Sequence, residues 1–209
     1  MPLQNRVSPA GEIFADPARG TFMGNRGGAI HDDQRRIVRQ YASRRWIACV
    51  LEFRGRRRTV MSPGRYTELF FLDEAVALAA GHRPCAECRR QRFNAFKDAW
   101  LRSGNPREGD SVFADAIDAE LHPARIGRRR EKVTYRAALK SLPDGCFVRF
   151  GDADWLRWED ALFRWSPAVY VEKRRRVGDS TVTVLTPLPI VRCLATGYRP
   201  EIHSSVREL

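Results

Sequence analysis

The chain has 209 residues, 43% of them hydrophobic and 10% aromatic, which is enough apolar material for a core and excludes disorder as its main state. Lys and Arg total 37 against 25 acidic residues, a net charge of +12, and all but Lys97, Lys132, Lys140 and Lys173 of these cations are arginine. No apolar run approaches the ~18–20 residues of a membrane span. The opening MPLQNRVSPAGEIF lacks the pattern of a secretory leader, so a cytoplasmic protein with no membrane partner is expected.

In chain order, the spacing predicts a loop-rich arm to about residue 28, kept irregular by Gly20, Gly24, Gly27 and Gly28. Trp46 to Phe53 reads as a short buried strand, and Arg58 to Met61 as the return strand of a hairpin around Gly55. Tyr66 to Phe71 reads as another strand. Asp73 is placed to cap a helix over Glu74 to Ala80, which Gly81 stops. Arg89 to Leu101 carries Phe93, Phe96, Ala99 and Trp100 at helical spacing. Turn formers from Ser103 to Asp110 then mark a boundary, which divides the chain into 1–105 and 106–209.

The second part predicts helices over Val112 to Leu121 and Tyr135 to Leu142. Strands are predicted over Cys146–Phe150, Trp155–Trp158, Ala168–Lys173 and Thr181–Leu185. A short helix opens at Pro187 and runs to about Thr196, and the last ten residues read as a tail. The expected class is α+β: a small zinc-held hairpin and helix module, then a small antiparallel sheet or barrel with short helices.

Five cysteines and no secretory leader argue against a disulfide framework. Cys85-Ala-Glu-Cys88 is the sharpest motif, because two thiolates two residues apart can chelate one tetrahedral metal without strain, and Zn2+ is the usual occupant. A thioredoxin-type redox pair would need a strand before the first cysteine and a helix starting at it, and here a helix and a glycine stop come first. Cys146 and Cys193 read as inert core thiols.

The run Phe70-Phe71-Leu-Asp-Glu-Ala-Val-Ala-Leu-Ala-Ala-Gly-His-Arg-Pro-Cys85-Ala-Glu-Cys88-Arg89 resembles the end of the Ada-type metal-binding domain, with its aromatic strand, alanine-rich helix and Gly-x-Arg-Pro-Cys-x-x-Cys. Gly24-Asn25-Arg26-Gly-Gly-Ala-Ile-His31 is similar to the Gly-Asn-x-x-Ser-x-x-x-His motif of bacterial relatives, so the resemblance covers about residues 20–92. It implies a zinc module able to sit on a nucleic-acid backbone, with Cys85 and Cys88 as ligands. Five residues past His31, where relatives carry a cysteine, this chain has Arg36. Cys49 and His31 therefore stand as the other two candidate ligands, and His82 as a packing residue. The methyl-acceptor chemistry of Ada belongs to a cysteine pair that this chain lacks, and is not carried over.

The net charge points to a polyanionic partner, and nucleic acid, DNA before RNA, is the one expected. The candidate contacts are Arg54, Arg56, Arg57 and Arg58 at the hairpin turn and Arg89, Arg90 and Arg92 after the cysteine pair. Trp155, Trp158, Trp165 and Tyr170 can serve either base stacking or a sheet core. Asp115, Asp118 and His122 share one helix face and suit either a metal-dependent nuclease or repair site or a plain acidic surface. No glycine-rich phosphate loop, Gly-x-Ser-x-Gly or His-Glu-x-x-His is present, and no catalytic residue is assigned.

Overall fold

The computed structural model describes residues 1–55, 59–105, 113–175 and 180–209. Among them are two six-stranded sheets and four α-helices, an α+β arrangement in which neither sheet closes into a barrel.

The first sheet comprises β1 (Gln4–Val7), β2 (Ile13–Ala15), β3 (Phe22–Arg26), β4 (Trp46–Cys49), β5 (Leu69–Phe71) and β6 (Arg83–Pro84). Its order is β2-β1-β5-β3-β4-β6, with β1/β5 and β4/β6 parallel and the other pairs antiparallel. The expected N-terminal arm is therefore three strands. Gly24 serves close packing there, since a Cβ at that position would lie 2.3 Å from the Ile47 carbonyl oxygen and 2.8 Å from the Phe71 ring. Along β3, Phe22, Gly24 and Arg26 are buried and Met23 and Asn25 are half-buried, the alternation of a two-faced strand.

The second sheet comprises β7 (Tyr135–Ala138), β8 (Phe147–Phe150), β9 (Ala153–Trp158), β10 (Ala161–Trp165), β11 (Tyr170–Arg175) and β12 (Thr181–Val184), in the order β11-β10-β9-β8-β12-β7. Where the sequence predicts a helix at Tyr135, residues 135–138 pair with β12, and only Leu139–Ser141 turn as a single 3-10 helix. β10 has no counterpart in the sequence reading. It hairpins with β9 through Glu159 and Asp160, both left-handed, a conformation that sequence patterns associate with Gly or Asn.

Helix α1 (Glu74–Ala79) is buried on every side, so its apolar residues face packing partners all round. Asp73 caps it as expected, its carboxylate accepting from Val76 N at 2.9 Å. Helices α2 (Arg90–Arg102), α3 (Ala114–Arg125) and α4 (Leu188–Ala195) complete the fold.

Two hydrophobic clusters hold it together. One packs Val7, Phe71 and the alanines of α1 against Phe147, Leu156 and Phe163; the other packs Phe93, Phe96 and Trp100 against Leu121, Val148 and Ile190. Each draws on both sides of residues 105/106, so the two parts of the chain share both cores. The last ten residues are packed as well: His203 N donates to the Asp73 carboxylate at 3.0 Å, and Tyr170 N to Ser205 Oγ at 2.9 Å. Residues 59–61, the described part of the expected return strand, form no strand, and Arg58 lies outside the described residues.

Candidate metal centre

Three local features deliver the cysteines. β4 ends on Cys49. α1 stops at Ala80, and the chain reverses at Gly81, whose φ of +89° is left-handed. A side chain at Gly81 would also strike Arg125, since its Cβ would lie 2.6 Å from Cδ. The reversal carries His82 into the core, where its ring packs on Phe71 (4.7 Å) and Trp46 (5.2 Å), the packing role expected of it. Arg83-Pro84 then pairs beside β4, and Cys85 N donates to the Ala48 carbonyl at 2.9 Å. Cys85 thereby sits next to Cys49, and the turn into α2 brings Cys88 to the same point.

The Sγ atoms of Cys49, Cys85 and Cys88 lie within 4.8 Å of one another. Cys49 and Cys85 are buried and Cys88 is half-buried. Around a tetrahedral zinc with Zn–S of about 2.3 Å the sulfurs would stand about 3.8 Å apart, so small side-chain rotations close the set. Hydrogen bonds from the Cys49 and Cys88 thiols, then from the backbone N–H of Cys88 and Glu87, hold the Cys85 thiol far below the usual range. Cys49, which donates to it, is pushed up. A bound cation would displace the thiol protons. The cluster can hold a metal ion. It opens on a cavity of about 400 Å³ lined on its apolar side by Met23, Ile47, Leu51 and Phe70.

His31 stands apart from the cluster. It is buried with both ring nitrogens engaged, Nδ1 with Thr67 Oγ1 at 2.6 Å and Nε2 with the Ser62 carbonyl at 3.2 Å. Its position is fixed by the bridge to Ile37 and ties that loop to the segment before β5. Among the described residues no fourth His, Cys or carboxylate joins the three sulfurs.

Of the seven candidate arginines, Arg54 and Arg90 are exposed, and Arg56, Arg57 and Arg58 lie outside the described residues. Arg89 is buried, donating to Glu74 at 2.9 Å and to Glu201 at 2.8 Å. Arg92 is half-buried, 3.0 Å from Glu74. Both guanidiniums neutralise a fully buried carboxylate, a demand that the local sequence does not reveal.

The acidic face is also taken up internally. Asp118 is buried against Arg83, Asp115 pairs with Arg45 at 3.1 Å on the surface, and the His122 ring packs on Tyr41 at 5.1 Å. Trp155 and Tyr170 are core residues, with the Tyr170 hydroxyl on Asp73 at 2.8 Å, while Trp158 and Trp165 are half-buried. Cys146 and Cys193 are buried in the core, away from the cluster.

No protein-family model, curated protein or solved structure matches the chain. The likeness to the Ada-type domain therefore stands on its motif residues, and what the fold adds is the three-cysteine cluster. No helix among the described residues is long and apolar enough to cross a membrane.

Proposed function

We propose that this is a zinc-binding protein of the cytoplasm that contacts nucleic acid, DNA before RNA, through arginines on its surface. The observation that carries the reading is the convergence of Cys49, Cys85 and Cys88, drawn from a strand end and a turn 36 residues later in the chain. Three sulfurs suit zinc in a reducing compartment, and the metal would staple β4 to the start of α2. The fourth position would be filled by water or by a ligand entering from the cavity. The net charge of +12 supports the nucleic-acid part, with Arg45, Arg54, Arg90, Arg128, Arg129 and Arg130 exposed.

Titration of labelled duplex and single-stranded DNA at several salt concentrations tests it. Log affinity should fall linearly with log salt, by about 0.9 per phosphate neutralised on the duplex. Arg54→Ala with Arg90→Ala should flatten that slope and leave the fold intact. No binding at low salt, or binding that salt does not weaken, would refute the nucleic-acid part and leave the metal site standing.

A further inference from the structure

On the opposite side of β4 from Cys49 lies a second cavity of about 420 Å³, lined by Arg26, Arg125 and Lys132 with Arg130, Arg149 and Glu12. Trp46 and Cys49 are three apart on one strand, so period-2 alternation sends them to different faces. Arg26 occupies an inward position of β3, and Arg125 is the last residue of α3. Each is 2% exposed. Their guanidiniums cover Trp46, with Cζ 4.1 Å and 4.2 Å from the ring centroid. Lys132 is half-buried overall, with its ammonium enclosed.

Besides the Trp46 ring, these three cations meet carbonyls and a histidine among the described residues. Arg26 donates to the Gly11 carbonyl at 2.8 Å and lies 3.5 Å from His82 Nε2. Arg125 donates to the Gly81 carbonyl at 2.7 Å and to that of Arg44, and Lys132 to that of Ala79. Arg125 Nε has no hydrogen-bond partner, and none of the three has a carboxylate in ion-pair contact among the described residues. Asp118 is bound to Arg83 and Asp154 to Arg149, while Glu12 sits exposed at the rim.

A bland explanation exists, because Ala79 and Gly81 are at the C-terminal end of α1, where cations are favoured. A helix end carries roughly half an elementary charge, however, and six residues carry no more. The two guanidiniums alone exceed it several-fold, and Lys132 adds to them. The other buried arginines among the described residues are neutralised by carboxylates: Arg83 by Asp118 and Arg89 by Glu74. Among the described residues the exception is confined to those that line this cavity.

We propose that this cavity is a binding site for a phosphate group carried by a small molecule, a phosphomonoester whose dianion supplies the charge that Arg26, Arg125 and Lys132 lack. Guanidinium forks match phosphate oxygens, and a lysine adds a point charge. The cavity is larger than phosphate alone, which leaves room for an organic part beside Gly11 and Gln40. A recessed site of this kind suits a small molecule better than the internal phosphodiesters of a polymer.

The test is calorimetric titration of the full-length protein with inorganic phosphate and with glycerol 3-phosphate, at ionic strength held constant with chloride. One saturable site per chain is expected for both, tighter for the ester. Lys132→Met should weaken binding by about tenfold or more, as loss of a charge-assisted contact implies. The rim substitution Arg130→Gln should weaken it several-fold, and gives a second readout if the buried variant folds poorly. Absence of saturable binding by either anion would overturn the proposal. So would equal affinity in wild type and both variants, or displacement of phosphate by an oligonucleotide without terminal phosphates and not by the ester.

Discussion

Arg83 and Asp118 form a two-pronged pair, Nε to Oδ1 at 2.9 Å and Nη2 to Oδ2 at 2.7 Å, with side chains only 4% and 2% exposed. Arg83 lies two residues before Cys85, and Asp118 lies in the middle of α3. The pair therefore anchors the cysteine turn to a helix from the other part of the chain. Burial raises the Asp118 carboxyl above its usual range, and the Arg83 fork only partly offsets this. The contact fixes geometry more than it stabilises.

Removing one partner should accordingly cost more than removing both. Asp118→Ala strands a buried guanidinium and should destabilise the protein by about 3–5 kcal/mol. Arg83→Met with Asp118→Leu should recover most of that loss. Urea unfolding of the single and the double variant beside wild type checks this, and equal losses in the two would contradict it.

Glu74 is the second internal hub. Fully buried, it accepts from Arg89, from Arg92, from the Tyr198 hydroxyl and from Glu201 N at 2.9 Å. Burial raises its carboxyl, but Arg89 and then Arg92 outweigh that, and the net shift is downward. With the folded value below the unfolded one of about 4.3, its contribution is complete above that pH and is lost as pH falls through the folded value. Acid unfolding should therefore begin below about pH 4.3 for this group, and Glu74→Gln should reduce the acid-dependent part of the loss.

Deleting residues 201–209 removes the Glu201 and His203 backbone donors to Glu74 and Asp73 together with the buried Val206. Each hydrogen bond to a charged group contributes about 1.5–3 kcal/mol, so the deletion should cost several kcal/mol in urea unfolding. A loss below about 1 kcal/mol would mean that these residues behave as the tail the sequence suggests.

Much of the cysteine site was legible in advance, because it is local. The helix stop, the Cys85/Cys88 pair and the Asp73 cap are each specified within a few residues. The surroundings of His31 and Arg89 were not legible for one reason: their partners, Thr67 and Glu74, are set by tertiary packing, and no spacing rule encodes them. The same holds for Arg26, which looks like a loop cation until β3 is seen to place it inward. The strand at Tyr135 was hidden because Tyr-Arg-Ala-Ala has no period-2 apolar pattern, and it forms through pairing with β12.

Burial first, then Arg26 and Arg125, push the Lys132 ammonium down to about 7, with Asp154 opposing. The other ionisable groups around it are His82, Arg130, Arg149 and Glu12. An unfolded lysine titrates near 10.4, so between about pH 7 and 10 the unfolded chain binds more protons and stability attributable to Lys132 rises with pH. In phosphate-free buffer Lys132→Met should be more stable than wild type at pH 6.5, and the gap should narrow toward pH 10. A gap that is constant across that range would contradict the account of a buried, uncompensated ammonium.

Elemental analysis of protein purified without chelator tests the central claim most directly. The account predicts about one zinc per chain in wild type, its loss in Cys49→Ser, Cys85→Ser and Cys88→Ser, and its retention in His31→Ala, Cys146→Ser and Cys193→Ser. Wild-type protein free of any transition metal, or metal retained after all three clustered cysteines are replaced, would contradict it.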